Sequence, residues 1–220
     1  MNSHNLFEFD KIQAETSDAA IVGTDEAGRG PGAGDVFSAA VYFPKINDTL
    51  INELSKLNDS KQLSENIREE LYEIIIRNSV WSVHQSTVSQ IENTNILTAS
   101  LWAMKLSCEE VIQEAELKNP LVLVDGNRLI RDFHYNQKWI KKGDGISASI
   151  AAASIIAKVT RDRYMNILDK EFPQYDWKNN KGYITKTHLE AVDKYGLTKH
   201  HRKKFFDKHF QKEKQVSLPL

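Results

Sequence analysis

The sequence predicts an α/β fold, a mixed five-stranded sheet with helices on its faces. Three strand-like segments come early, later strands alternate with helical segments, and the last third is helical and basic. Residues 21–26 (IVGTDE) read as the first strand, and Gly28, Gly30, Gly32 and Gly34 then mark a loop with unusual backbone angles. Residues 36–43 (VFSAAVYF) form a second strand, stopped by Pro44. Ser64 caps a helix that carries Ile67, Leu71 and Ile75 on one face. Residues 80–88 alternate like a third strand, and a helix over about 95–117 follows, ended by Pro120. The apolar run at 121–126 (LVLVDG) reads as a buried strand, and a short strand around Trp139 precedes Gly143-Asp144-Gly145. Residues 147–170 form a helix rich in Ala and Ser, able to pack closely against a sheet. Thr187 and Glu190 predict a capping box for a further helix, which Gly196 ends. The expected organisation is an N-terminal extension over 1–20, a core over 21–170, a helical region over 171–210 and a polar, mobile tail over 211–220.

Composition narrows the class. The chain has 220 residues, 40% of them apolar, enough for one sizeable core with a small appended region. No apolar run approaches the roughly 20 residues of a membrane helix, and the N-terminus lacks the basic-then-apolar pattern of a signal peptide. The single cysteine, Cys108, lies in the apolar-periodic segment of Leu101, Met104 and Val111 and is expected to be buried and inert. A soluble, cytoplasmic monomer is the expectation. Net charge is −1, but residues 158–214 carry 15 Lys+Arg against 8 Asp+Glu, a local net of +7. Such a quarter suits a phosphate backbone, or equally a solvated helical face.

Acidic residues recur where strands should end. Asp25 and Glu26 close the first strand, Asp125 closes LVLVDG, and Asp144 sits between two glycines before the Ala-rich helix. Open sheets build sites beyond strand ends, and carboxylate oxygens suit Mg²⁺ or Mn²⁺, two of which can clamp a phosphodiester. Neighbouring strand residues face opposite sides, so Asp25 and Glu26 share a site only if the strand ends or bends there. Each Asp also has a plain reading, since Asp before Gly is a common turn former.

The motifs together resemble the type 2 ribonucleases H (ribonuclease HII). Asp25-Glu26-Ala27-Gly28-Arg29-Gly30-Pro31 looks like the signature of that family. In order there follow Asp59-Ser60-Lys61, Asn95-Ile96-Leu97, Leu123-Val124-Asp125-Gly126-Asn127 and Lys142-Gly143-Asp144. The likeness continues through residues 149–159 (SIAAASIIAKV), Arg161-Asp162, Asn180-Lys181-Gly182-Tyr183 and His201-Arg202. It spans about residues 21–206. The resemblance implies a ribonuclease H-like core with a C-terminal helical, substrate-binding region. It implies an endonuclease acting on RNA/DNA hybrids and on ribonucleotides embedded in DNA, leaving 5′-phosphate and 3′-hydroxyl ends. It further implies metal ligation by Asp25, Glu26, Asp125 and Asp144, and recognition of the ribonucleotide by Gly28, Arg29, Gly30 and Tyr183. Glycines allow backbone to approach a sugar, the 2′-hydroxyl distinguishes RNA, and an aromatic ring can pack on a nucleotide. Ser147, Ser149 and Lys158 are candidate phosphate contacts, with a core or cap role open for the serines.

Gly32, Asp35, Gly145 and Lys204 depart from the family pattern, and Asp35 is expected to place negative charge near the phosphate-binding loop. Two other readings fit less well. Type 3 ribonuclease H carries an extra N-terminal domain and a Glu as its last carboxylate, whereas only about 20 residues precede the first strand here and Asp144 is an Asp. An ATP-binding loop at Gly28–Gly34 would need a Gly-Lys-Ser/Thr ending that is missing. A non-catalytic nucleic-acid-binding module stays open, although all four carboxylates are present. Finally, Gln215, Ser217, Leu218 and Leu220 form a peptide resembling Gln-x-Ser-Leu-x-Leu, by which bacterial replication and repair proteins dock onto the DNA sliding clamp.

Overall fold

The computed structural model describes the backbone of residues 3–216 and the side chains of residues 4–211. The chain runs α1 (Ser3–Ser17), β1 (Ala20–Ala27), β2 (Val36–Tyr42), α2 (Asp48–Glu53), α3 (Glu65–Asn78) and β3 (Val80–Ser86). It continues with α4 (Val88–Asn93), α5 (Ile96–Glu114), β4 (Pro120–Asp125), β5 (Asn136–Ile140) and α6 (Ala148–Glu171). Last come α7 (Trp177–Asn180), α8 (Lys186–Tyr195) and α9 (Asp207–Val216). The five strands form one mixed sheet in the order β3-β2-β1-β4-β5. β1, β2 and β3 are antiparallel neighbours, and β4 and β5 join parallel to β1. The fold class predicted from the pattern is the one observed.

Alternation along the strands divides the core between two faces. Ala39 and Val41 of β2 pack with Ala151, Ala152, Ile155 and Ile156 of α6 and with Leu71 and Ile75 of α3. Val22, Ala40, Val122 and Val124 pack with Leu101, Met104, Cys108 and Val111 of α5. Cys108 is fully buried, as expected. The Ala/Ser composition of α6 lets it lie hard against β1. A Cβ on Gly23 would come 2.2 Å from the Ser149 carbonyl carbon, so only glycine permits this approach.

Most predicted boundaries agree to within one or two residues, and Ser64 caps α3 by accepting from the Ile67 N–H. Several do not. The segment read as one helix from 95 has a separate short helix, α4, before it, with Thr87 and Gln90 in a capping box. Asn95 caps α5 by accepting from the Thr98 N–H. The predicted cap at Thr187 is wrong by two residues: Thr185 accepts from the His188 N–H and starts α8. Thr185 lacks the Glu that marks a capping box at Thr187, yet its hydroxyl lies at the helix start, where His188 is also held by the Tyr183 carbonyl. The N-terminal extension holds α1, whose Leu6 and Phe7 are buried in the main core beside Phe43. Helix α9 carries the fold through Val216, into the segment read as a tail. Gln215 lies on it, while Ser217, Leu218 and Leu220 fall outside the described residues.

The last third builds a small second core. Trp177, Tyr175, Val192, Phe206 and Met165 are buried together, with the Trp177 and Tyr175 rings stacked at 5.0 Å.

Candidate active site

The four predicted carboxylates come together because parallel pairing places the ends of β1 and β4 side by side. That pairing stops at Thr24 opposite Val124, so Asp25 and Asp125 emerge at the same edge. β1 continues alone against β2 as far as Ala27 opposite Phe37. Glu26 is therefore freed from β4 without the strand ending or bending at that point. Asp144 arrives on a 3₁₀ turn (Gly143–Gly145) whose Gly143 N–H donates to Asp125 Oδ1 at 2.6 Å.

The electrostatics show that these groups feel one another. Burial pushes the Asp25 carboxyl well above the usual range, and repulsion from Glu26 and Asp125 adds to it. Glu26 is pushed up to about 7, chiefly by burial; Arg29 opposes the shift and Asp125 adds to it. Asp144 is pushed up to about 6 by burial and by the charges of Asp125 and Asp59. Asp125 is raised by burial against the pull of its backbone hydrogen bonds. The acids are also held by local partners. The Glu26 N–H donates to Asp25 Oδ1 at 2.6 Å, and Glu26 pairs with Arg29 at 3.1 Å. Among the described residues, no three Asp, Glu, His or Cys side chains already surround a common point as metal ligands.

A cavity of about 760 Å³ opens beside Glu26. Gly28, Arg29, Gly30, Lys158 and Tyr183, all predicted, line it together with Lys61, Arg68 and Arg161. Gly28 has φ +102°, and a Cβ there would meet Arg161 Nε at 2.2 Å. A Cβ on Gly30 would meet the Tyr183 ring at 3.2 Å, so the loop and the half-exposed ring frame one opening.

Two expectations need correction and a third is refined. Ser147 and Ser149 are buried and face other partners than a phosphate. Ser147 caps α6 by accepting from the Ile150 N–H. Ser149 donates from both its N–H and hydroxyl to the buried Asp10, at 2.8 and 2.7 Å. Asp35 lies behind the glycine loop and does not line the cavity: it is buried, its Oδ1 accepts from the Val88 N–H at the start of α4, and its charge acts on Arg161 and Arg202. Lys158 does line the cavity, but it pairs with Asp162 at 2.6 Å, which also meets Arg68 at 3.6 Å.

Lys61 is the residue that sequence reasoning left without a role. Asp59 accepts from the Lys61 N–H and sets a tight 3₁₀ turn, and Ser60 binds Ser154 of α6 at 2.8 Å. Burial alone would lower the Lys61 ammonium, yet Asp25, Asp59, Asp144 and Asp125 together raise it. The signal in the sequence is a lysine directly after an Asp-Ser turn; its destination comes from packing against α6. Gly32 has a reason as well, since a Cβ there would strike Ile184 at 2.6 Å.

The comparisons agree with this architecture. The family model described as Ribonuclease HII matches residues 22–213. The chain is 45% identical over 185 residues to the ribonuclease HII of Pelagibacter ubique (strain HTCC1062), covering 84% of this chain and 95% of that one. It is 46% identical over 196 residues to the ribonuclease HII of Fusobacterium nucleatum, covering 89% of each. Among solved structures, the fold is similar to ribonuclease H2 from Pyrococcus horikoshii OT3, with a TM-score of 0.67 at 23% identity over 90% of this chain and 99% of that one. It is likewise similar to RNase HII in its complex with PCNA from Archaeoglobus fulgidus, with a TM-score of 0.67 at 24% identity over 83% and 93%. A third similar structure is Bst-RNase HIII in complex with Mn²⁺, with a TM-score of 0.64 at 18% identity over 88% and 65%. Sequence and fold together place this chain in the ribonuclease HII family, as a ribonuclease H.

Proposed function

We propose that this ribonuclease H hydrolyses the RNA strand of RNA/DNA hybrids and cuts at ribonucleotides embedded in duplex DNA, with Asp25, Glu26, Asp125 and Asp144 holding two divalent cations, Mg²⁺ or Mn²⁺. The observation that carries this reading is the placement of Asp25, Glu26 and Asp125 at the neighbouring ends of β1 and β4, with Asp144 on the turn bonded to Asp125, beside a cavity lined by basic groups. The donor set fits hard cations, being all oxygen and carrying charge that nearby cations would relieve. The Mn²⁺ of the Bst-RNase HIII structure supports the same chemistry. When bound, such ions lower the pKa of the attacking water and stabilise the leaving 3′-oxygen.

The chain's own groups bind and orient the substrate. Gly28 and Gly30 leave room for a ribose to approach the backbone, where its 2′-hydroxyl can be read. Tyr183 offers its ring to the junction nucleotide. Arg29, paired with Glu26, and Lys61, surrounded by acids, stand where a phosphate would take their attraction as cations take the carboxylates.

The test is cleavage of two duplexes, one with a single ribonucleotide and one with a four-ribonucleotide stretch, across Mg²⁺ and Mn²⁺. Tyr183→Ala should lose about 1–3 kcal/mol of the stacking interaction, and lose more on the single ribonucleotide. Equal losses on both substrates would reduce Tyr183 to general positioning. Loss of no activity on removing divalent ions would overturn the metal reading.

The C-terminal peptide extends the proposal to a partner, the DNA sliding clamp. Support comes from Gln215-Val216-Ser217-Leu218-Pro219-Leu220 itself and from the PCNA complex of a protein of the same fold. Two leucines flanking a proline suit an apolar groove, and the proline reduces the entropy lost on docking. Deleting residues 215–220 should leave cleavage of a short oligonucleotide unchanged and abolish clamp binding; a truncated chain that still binds sinks the idea.

A further inference from the structure

Beyond the carboxylate cavity, the groove between α5 and the loop after β4 combines an exposed ring with free cationic groups. It has a volume of about 400 Å³ and is lined by Leu97, Trp102, Lys105, Arg128, Leu129 and Arg131, with Asp132 at its rim. Trp102 is 49% exposed and Leu129 46%, an unusual outlay for large apolar side chains in mid-surface. Lys105 donates to the Asp132 carbonyl at 2.6 Å and lies 5.6 Å from the centre of the Trp102 ring. Arg128 and Arg131 are exposed, and neither takes part in an ion pair among the described residues. Trp102 also borders a second hollow of about 280 Å³, formed with Gln90, Asn93, Thr98 and Ala99, whose lining is mostly apolar and carries no charged side chain. The ring is thus shared by a basic groove and an uncharged, largely apolar hollow.

Two placements tie this surface to the cavity. Ile96, at the start of α5, lines the cavity, and the next residue, Leu97, already lines the groove. Arg128 follows Asp125 by three residues on the loop leaving β4. The groove therefore begins where the cavity ends at the start of α5 and runs along that helix from Leu97 to Lys105.

We propose that this groove is a second docking site for the nucleic-acid substrate, in which Arg128 and Arg131 hold phosphates of the duplex and Trp102 packs on its sugar or base edge. The charge is complementary to a phosphate backbone, and an exposed ring between a basic groove and an apolar hollow suits a ribbon that alternates charged phosphate with flat, partly apolar nucleosides. The inference rests on the reading of the carboxylate edge as the cleavage site, and it assigns the groove the part of the duplex away from the ribonucleotide.

The experiment measures affinity in EDTA, and cleavage with Mg²⁺, for duplexes of about one and two helical turns (roughly 10 and 20 base pairs) carrying one ribonucleotide. The long duplexes are extended on one side or the other of that ribonucleotide. Trp102→Ala should weaken binding of one long series about fivefold or more while leaving the short duplex unchanged. Arg128→Ala and Arg131→Ala should each lower the slope of log affinity against log salt by about one on that series alone. At saturating substrate the cleavage rate should match wild type, which separates docking from chemistry. If wild type cleaves and binds both lengths while the variants lose nothing, the groove is left to a protein partner and the proposal is overturned. Equal losses on short and long duplexes overturn it too, by moving these residues into the cleavage site. If wild type itself does not cleave, the reading of the carboxylate edge fails instead.

Discussion

The carboxylate edge of the sheet and the arginine-laced start of the C-terminal region bury charge in opposite ways. At the edge, Asp125 repels both Asp25 and Asp144, and of the four acids only Glu26 has a close ion pair among the described residues. Behind the glycine loop, Arg161 of α6 and Arg202 of the C-terminal region are as deeply buried, yet their donors go to backbone carbonyls. Arg161 donates to Ala33, Asp35 and Lys181; Arg202 donates to Arg29, Pro31 and Gly34. A guanidinium offers five fixed donors and stays charged, so it can satisfy a loop whose carbonyls point inward. The acids are relieved only in part, by Lys61, by Arg29 on Glu26 and by the Gly143 N–H on Asp125, and burial still holds their carboxyls high. The unsatisfied charge marks the proposed cleavage site, whereas the satisfied charge builds the wall beside it. The Gly-rich loop at 28–34 sits where the two meet, held by arginines from behind and facing the cavity in front.

This contrast can be broken by exchanging charge for neutrality on each side. Asp125→Asn keeps an acceptor for the Gly143 N–H but removes a charge that Asp25 and Asp144 both oppose. Cleavage should fall below detection, and the metal-free protein should melt higher than wild type. The same holds for Asp144→Asn. Near-normal Mg²⁺-dependent cleavage in either variant would remove that residue from the site, and a lowered melting temperature would contradict the repulsion.

The arginine side predicts the reverse. Arg202→Met leaves the Gly34 and Pro31 carbonyls unsatisfied in a buried place, at about 1–3 kcal/mol each. Urea unfolding should show a loss of at least about 2 kcal/mol, with catalysis impaired through the loop rather than through the carboxylates. Unchanged stability would mean that the carbonyls find other donors.

The smallest effects concern pH, and they too run in opposite directions. Burial pushes Asp10 up to about 6 from 3.8, although hydrogen bonds from Ser147 and Ser149 oppose it. The folded state then binds the proton more tightly than the unfolded chain, so this stabilisation is full below pH 4 and is lost as pH rises towards 6. His201 is pulled down to about 3 from 6.5 by burial and by His188 and His200. Its contribution is full above pH 6.5 and is lost as pH falls towards 3. Relative to Asp10→Asn, wild-type stability should fall by an amount on the order of 2 kcal/mol between pH 4 and 6.5. Relative to His201→Asn it should rise over the same interval. Denaturant titrations at the two pH values read both, and parallel curves for either pair would show that group to titrate normally.

Much of the fold was legible in the chain because its signals are local. The strand of residues 121–125, the Ser64 cap, the Pro44 stop and the Ala-rich face of α6 each depend on residues a few positions apart. Helix α1 was not legible, since its amphipathic signal is weak and its helicity depends on Leu6 and Phe7 finding Phe43. The Thr187 cap failed because two hydroxyls competed locally and a long-range network around His188, from Trp177 to His201, decided between them.

The site divides along the same line. By itself the sequence determined which residue types were available for chemistry: four carboxylates at the ends of strand-like segments, a glycine-rich loop and a tyrosine after Lys181-Gly182. Only the tertiary structure decided which of them meet. Parallel pairing of β1 with β4, about a hundred residues apart in sequence, brings Asp25 to Asp125. The close contact of Gly23 with α6 sets Ser147 and Ser149 as cap and anchor instead of phosphate ligands. Lys61 reaches the acids because Ser60 is pinned to Ser154, 94 residues away. Side-chain chemistry is a property of each residue alone, but proximity is fixed by packing that no short stretch of chain can specify.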